Sequence, residues 1–271
     1  MLALVQDARY DPERIARFFD DYGEREWERF AGSAMDRVNL EVHLRLLREH
    51  IRPGDRILEA GAGPGRFTLE LAKLGATVVV GDISPRQLEL HAERTVDVEA
   101  SIEARELLDI VDLSRYADAS FDAVVCFGGP LSYVLDEVNT ALTELLRVTK
   151  PGGYVLLSVM SLLGAARAFF SALPELIERF GWQRAIEEIF ATGDLSAELN
   201  NGHVLRLYRW SDLERLLSRH ACRVVAVSAA NFLSVGNEQW EDRFLELEIE
   251  ACREPGALEG GTHIAAVVER L

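Results

Sequence analysis

The feature that most constrains the fold is the passage from Arg56-Ile-Leu-Glu-Ala60 into Gly61-Ala-Gly-Pro-Gly65. A short apolar run that enters a glycine cluster reads as a buried strand followed by a sharp turn. Phe67, Leu69, Leu71, Ala72 and Leu74 then suggest a helix that closes at Gly75, and Thr77 to Val80 form a β-branched run ending at Gly81-Asp82. Strand, helix and strand are complete by residue 82.

The same alternation continues along the chain. Ser84-Pro85-Arg86-Gln87 reads as a capping box with proline at the first helical position. Strands are expected around residues 100 to 108 and at Phe121 to Phe127, and a helix from about Asp136 to Lys150. Pro151-Gly-Gly153 ends that helix before a strand from Tyr154 to Met160. Ser211-Asp-Leu-Glu214 reads as a second capping box, opening a helix that ends near His220. A strand at Arg223 to Val227, a helix from Glu238 to Arg253 and a strand from Thr262 to Val268 complete the pattern. Such a chain is an α/β protein with a doubly wound, mostly parallel sheet covered by helices on both faces.

Two segments stand outside the alternation. Residues 1 to 50 read as an N-terminal helical cap: Asp11 caps a helix with Pro12 at its first position, and a second helix starts near Asp36 and runs to His50. Residues 161 to 200 are a helical, aromatic-rich insert. The core therefore spans residues 51 to 160, and residues 201 to 271 complete the sheet.

With 271 residues, 48% hydrophobic and 27% charged, the chain is long and apolar enough for a native core, and neither a disordered nor a repetitive composition is present. Asp and Glu number 45 against 29 Lys and Arg, a net charge of −16 that on average repels nucleic acid and anionic membranes. Cys126, Cys222 and Cys252 are odd in number and widely separated, with no C-x-x-C spacing, and no signal peptide or membrane span is readable. A soluble protein of the reducing cytoplasm is expected, and the scattered histidines signal no metal site.

In an open parallel sheet, ligands bind beyond the carboxyl ends of the strands where the winding reverses. The turn at residues 61 to 65 has the spacing G-x-G-x-G, not the G-x-G-x-x-G of dinucleotide sites, which argues for a ligand without a pyrophosphate. Tight strand–helix packing explains the glycines alone about as well. Two acids shift the balance. Asp82 closes the second strand, where a carboxylate can accept both hydroxyls of a ribose, and Asp109 lies just past the third, placed to accept from an exocyclic amine. Together with Glu59 they are expected to line one crevice.

These residues, with Asp109-Ile-Val-Asp-Leu-Ser114, Ser120 to Gly128 and Lys150-Pro-Gly-Gly153, resemble the class I S-adenosylmethionine-dependent methyltransferases. The similarity is greatest to the small-molecule subgroup that includes ubiquinone and menaquinone methyltransferases, and it covers roughly residues 51 to 160. It implies a Rossmann-like seven-stranded sheet and S-adenosylmethionine as cofactor. It further implies that Glu59, Ala60, Gly61, Gly63 and Gly65 wrap the methionine portion. Asp82 matches the ribose-binding acid, and Ile83 and Gln87 flank the adenine, where the family often has Met at the position of Gln87. Asp109 matches the acid that holds the adenine amine, Ile110 supplies the neighbouring backbone N–H, and Phe127 and Gly128 lie beside the sulfonium.

Methyl transfer from this cofactor is an in-line displacement to a small-molecule acceptor at oxygen, nitrogen or carbon, so the protein must orient, exclude water and, for some acceptors, remove a proton. The cap and insert are expected to form the acceptor pocket. Tyr22 and Trp27 are candidates to close over the cofactor and Arg37 to pair with its carboxylate, each set against an ordinary packing or surface role. His203, in a loop-like segment after the insert, and Tyr133, just past the fourth strand, are the candidate catalytic residues. A noncatalytic module binding the same cofactor and, less favoured, a nicotinamide-dependent oxidoreductase are the alternatives.

Overall fold

The computed structural model describes residues 9–30, 32–200, 202–237 and 240–271. Its centre is β1 (Arg56–Ala60), flanked in parallel by β2 (Thr77–Asp82) and β4 (Phe121–Cys126). With β3 (Ile102–Leu107), β5 (Thr149–Met160), β8 (Cys222–Ala230) and β9 (His263–Arg270), these form a seven-stranded sheet of order β3-β2-β1-β4-β5-β9-β8. Only the pairings of β9 are antiparallel. The winding reverses between β1 and β4, so the switch point opens beyond Ala60 and Cys126.

Strand alternation divides the core between two faces. Leu58, Val79, Val124 and Leu157 pack with Leu142 and Leu145 of α7 (Val138–Val148) and with Leu213 and Leu217 of α11 (Trp210–Leu217). Ile57, Val78, Val80 and Val125 pack with Leu46 and Leu47 of α3 (Ala34–His50) and with Phe67 and Leu71 of α4 (Arg66–Lys73). Leu58 and Leu142 are wholly buried, and truncating either to alanine should cost about 2–5 kcal/mol.

The cap consists of α1 (Pro12–Tyr22), the single turn α2 (Arg25–Glu28) and α3. Asp11 caps α1 through the amide of Arg14. The second long helix begins at Ala34, two residues before the expected start, because Ser33 takes the amide of Asp36 on its hydroxyl. The insert holds α8 (Leu162–Ala168), α9 (Leu173–Trp182) and α10 (Glu188–Thr192). Ile15 and Phe19 of the cap pack against Leu162 and Ile189 of the insert, so the two segments meet above the strand ends. A short ribbon of β6 (Asp194–Leu195) and β7 (Leu205–Arg206), which no sequence pattern announced, closes the insert.

Local corrections have local causes. Ser84 caps α5 (Pro85–Arg94) through the amide of Gln87, but the Gln87 side chain does not return the bond as a capping box requires. Its amide donates instead to the carbonyls of Phe19 and Gly23 in the cap. Ser211 is not a cap at all: α11 starts at Trp210, whose amide is satisfied by the distant Glu259 carboxylate. A 3₁₀ turn at Leu135–Glu137 delays α7 to Val138, and the late helix is α12 (Leu245–Cys252). Its expected start at Glu238 lies outside the described residues.

Candidate active site

The glycine turn folds back onto β2. The amides of Gly61 and Ala62 both donate to the Gly81 carbonyl, at 2.8 and 3.0 Å. Gly61 has φ +80°, and a Cβ there would lie 2.5 Å from Cγ of Pro130, which opens the short helix α6 (Pro130–Tyr133) after β4. Gly63, at φ +53°, donates its amide to Oδ2 of Asp82 at 2.8 Å, while the Ser84 amide holds Oδ1 at 2.9 Å. Burial pushes the Asp82 carboxyl up to about 6, against the lowering effect of these amides.

Beyond this turn lies a cleft. Gly61, Gly63, Asp82, Ile83, Gln87, Asp109, Ile110, Phe127 and Gly128 all line it, so nine of the expected cofactor residues are brought together. Glu59, Ala60 and Gly65 are not among its lining, and the expectation that Glu59 joins the two aspartates in one crevice is corrected. Glu59 is carried to the face of the sheet that α4 covers. There its Oε2 accepts the Thr68 hydroxyl at 2.5 Å, and His91 Nε2 contacts the same hydroxyl at 2.8 Å. Burial pushes the Glu59 carboxyl up to about 8. Gly65 serves packing, since a Cβ there would meet Cγ2 of Thr95 at 2.6 Å.

Three cleft residues gave no signal in the sequence. The Tyr10 hydroxyl donates to Oδ1 of Asp109 at 2.7 Å, across 99 positions of chain. The Val111 amide shares that oxygen at 2.9 Å. Glu26 and Arg29 form an ion pair at 2.6 Å beside the cleft. Arg29 keeps its charge next to Glu26, whereas burial raises the Glu26 carboxyl above its ordinary value. A Cβ on Gly128 would fall 2.9 Å from Nη2 of Arg29.

Glu26 and Arg29, together with Phe19 and Tyr133, also border a second, wider chamber between cap and insert. His203 lies in it, its ring sandwiched between Phe18 at 3.6 Å and Tyr133 at 4.6 Å, both nearly parallel. Tyr22 extends the stack behind Phe18. The two candidate catalytic residues are thus neighbours. Burial, reinforced by Arg29 and Arg14, lowers the His203 imidazole to about 4, so it is neutral at pH 7, and its Nε2 has no hydrogen-bond partner. Burial raises the Tyr133 phenol, which keeps it protonated and suits donation of a hydrogen bond rather than removal of a proton.

The other cap candidates lie elsewhere. Trp27 is covered by Arg66 at 3.6 Å and Arg94 at 4.5 Å and is absent from the lining of both cavities. Arg37 pairs at 3.3 Å with the exposed Asp242, far along the chain, and lines neither cavity. His50 bonds back to the Leu46 carbonyl at the end of α3. Among the described residues, no group of three His, Cys, Asp or Glu is arranged to hold a metal ion.

An open α/β sheet with a glycine turn and two strand-end acids at its switch point defines a nucleoside-binding class of fold. Comparison with known proteins narrows it. Residues 58–157 match a family described as a methyltransferase domain. The chain is 34% identical over 148 residues to a demethylmenaquinone methyltransferase of Corynebacterium efficiens, covering 53% of this chain and 58% of that one. It is 34% identical over 168 residues to a malonyl-acyl-carrier-protein O-methyltransferase of Erwinia pyrifoliae, covering 59% and 60%. Each match therefore spans less than two thirds of the relative's length. Among solved structures, the 4+2 cyclase SpnF superposes with a TM-score of 0.63 at 13% identity, over 97% of each chain. Over residues 58–157, then, the core is similar to methyltransferase domains.

Proposed function

We propose that the protein transfers a methyl group from S-adenosylmethionine to a small-molecule acceptor. The observation that carries this reading is the placement of Asp82 and Asp109, at successive strand ends, around one cleft with a positive-φ glycine turn. The residues present suit that cofactor. Asp82 has lone pairs left for ribose hydroxyls, Ile83, Leu108 and Ile110 give the cleft apolar lining for an adenine, and Oδ2 of Asp109 is without a hydrogen bond among the described residues. The Glu26–Arg29 pair offers both charges to a zwitterionic amino acid.

When bound, the cofactor supplies a methyl group already activated by its sulfonium. What falls to the chain is placement and the exclusion of water. Residues 51 to 160 hold the nucleoside, while the cap (1 to 50) and insert (161 to 200) enclose the acceptor. Tyr10 closes over Asp109. His203 lines the chamber as a neutral imidazole with an unpartnered Nε2; of our two candidates it is the one with a free lone pair, though its low pKa makes it a weak base. The three cysteines are free, and no described helix is long and apolar enough to cross a membrane, which supports a cytoplasmic address.

Incubation with methyl-labelled S-adenosylmethionine and a small-molecule cell extract tests the proposal. Label should pass into a low-mass product with release of S-adenosylhomocysteine, and S-adenosylhomocysteine, not NAD, should raise the melting temperature. Stabilisation without any transfer would favour a noncatalytic binder, since fold alone does not fix the chemistry; stabilisation by NAD alone would favour an oxidoreductase.

A further inference from the structure

The wider chamber ends on a polar floor whose residues, Asn39, Asn231, Thr262 and His263, do not line the cleft at the switch point. Asn231, at φ +62°, accepts the amide and hydroxyl of Thr262 on Oδ1 at 2.9 and 3.1 Å and donates Nδ2 to the Met35 carbonyl at 3.2 Å. The turn into β9 is thereby locked against α3. Asn39 of α3 then donates Nδ2 to Thr262 Oγ1 at 3.3 Å and to Nδ1 of His263 at 3.0 Å.

This network fixes a tautomer. Because Nδ1 of His263 accepts, the neutral ring carries its proton on Nε2. That N–H has no partner, and neither has Oδ1 of Asn39. Asn39 is only 6% exposed and His263 only 9%, and both line the chamber. Buried polar atoms are nearly always paired, so one unpaired donor and one unpaired acceptor on two residues that line the same cavity call for an occupant.

The pair selects its chemistry. A hydroxyl can accept from Nε2–H and donate to Oδ1 at once. A carbonyl or ether would leave the amide oxygen unpaired, a carboxylate would confront it with a second acceptor, and an ammonium would leave Nε2–H unpaired. The walls carry the rings of Phe18, Tyr22, Phe30 and Phe169; of the charged residues that also line the chamber, Arg29 pairs with Glu26, and Asp21, Arg25 and Asp36 leave no excess of positive charge for an anion. Aromatic walls favour rings over chains.

We propose that Asn39 and His263 bind a hydroxyl group of an uncharged, ring-bearing acceptor and so determine which small molecule enters. As a statement about the acceptor this rests on the methyltransferase reading, but the recognition can be measured without turnover. The probes are 2-naphthol, 2-methoxynaphthalene and 2-naphthoate, titrated by calorimetry with and without saturating S-adenosylhomocysteine. The naphthol should bind at least about tenfold more tightly than either of the others, the effect of one satisfied buried pair. Asn39→Leu and His263→Leu should each erase that preference, His263→Gln, which keeps an N–H donor, should retain most of it, and S-adenosylhomocysteine affinity should change by less than about twofold in all three. Equal binding of the three probes by the unmodified protein would overturn the inference, as would a preference that survives both leucine variants. If a variant does not fold, the comparison of probes on the unmodified protein decides. Failure of S-adenosylhomocysteine to bind at all would instead sink the cofactor reading, and the naphthol preference measured in its absence would still judge this pair.

Discussion

The two cavities share a wall but are built differently. The cleft at the switch point is assembled from strand ends and their turns, so that backbone geometry sets its shape: Gly61 and Gly63 at positive φ, Asp82 the last residue of β2 and Asp109 two residues past the end of β3. The wider chamber is assembled from side chains of α1, α3, α6, the insert and the turn before β9, segments that only the finished fold brings together. One therefore follows from the α/β pattern itself, and the other is free to differ between chains with the same sheet. A cofactor site of the first kind and an acceptor site of the second would let one core serve many substrates.

Substitutions should separate the two. The largest effect belongs to Gly61→Ala: the added Cβ meets Pro130 at 2.5 Å in a left-handed backbone conformation. A loss of about 1–3 kcal/mol in unfolding free energy is expected, with at least about tenfold weaker S-adenosylhomocysteine binding, read by denaturant titration and calorimetry. Asp82→Asn removes the charge while keeping the shape, and should weaken S-adenosylhomocysteine binding by about 10- to 100-fold at little cost in melting temperature. Equal affinity would mean that the cleft is not read through that acid.

On the chamber side the pattern should invert. Phe18→Ala or His203→Ala opens the ring stack, so turnover of any acceptor found should fall several-fold while S-adenosylhomocysteine affinity stays within about twofold. Parallel losses in both quantities would show that the cavities act as one. Behind the glycine turn, the Glu59 carboxyl titrates near 8 in the fold against an ordinary value of 4.5. A raised acid contributes its stability fully below its unfolded pKa and loses it as pH rises through the folded one. Melting temperature should therefore decline between about pH 5 and pH 8 in the unmodified protein and be flatter in Glu59→Gln. The smallest effect is Arg37→Ala, an exposed pair with Asp242, which should change stability by less than about 0.5 kcal/mol and leave ligand binding unaltered.

The same contrast explains what was legible in the sequence. The alternation of strands and helices follows from hydrophobic period and glycine position, and Gly61, Gly63, Asp82 and Asp109 from the turn and the strand-end acids, whereas Ile83, Gln87, Ile110, Phe127 and Gly128 were implied only by the resemblance to methyltransferases. Glu59 was misplaced because strand alternation, not proximity to the turn, decides which face a side chain takes, and it takes the one facing Thr68 and His91. Tyr10, Glu26 and Arg29 could not be read, since nothing in the sequence around them distinguishes a residue facing a cleft from one facing solvent. Arg37, the arginine singled out in the cap, points to Asp242 instead, while Arg29 borders the cleft. Ser211 matched a cap motif, yet the helix takes its first partner from Glu259, almost fifty residues later. Local pattern carries local structure, and the chamber is not local.

The most direct measurement is a calorimetric titration of S-adenosylhomocysteine into the unmodified protein and into Asp82→Asn/Asp109→Asn, with NAD as competitor. Saturable binding that NAD does not displace, at least about a hundredfold weaker in the double variant, is the predicted result. No binding heat in the unmodified protein, or an unchanged affinity when both acids are neutralised, would contradict the assignment of the cleft.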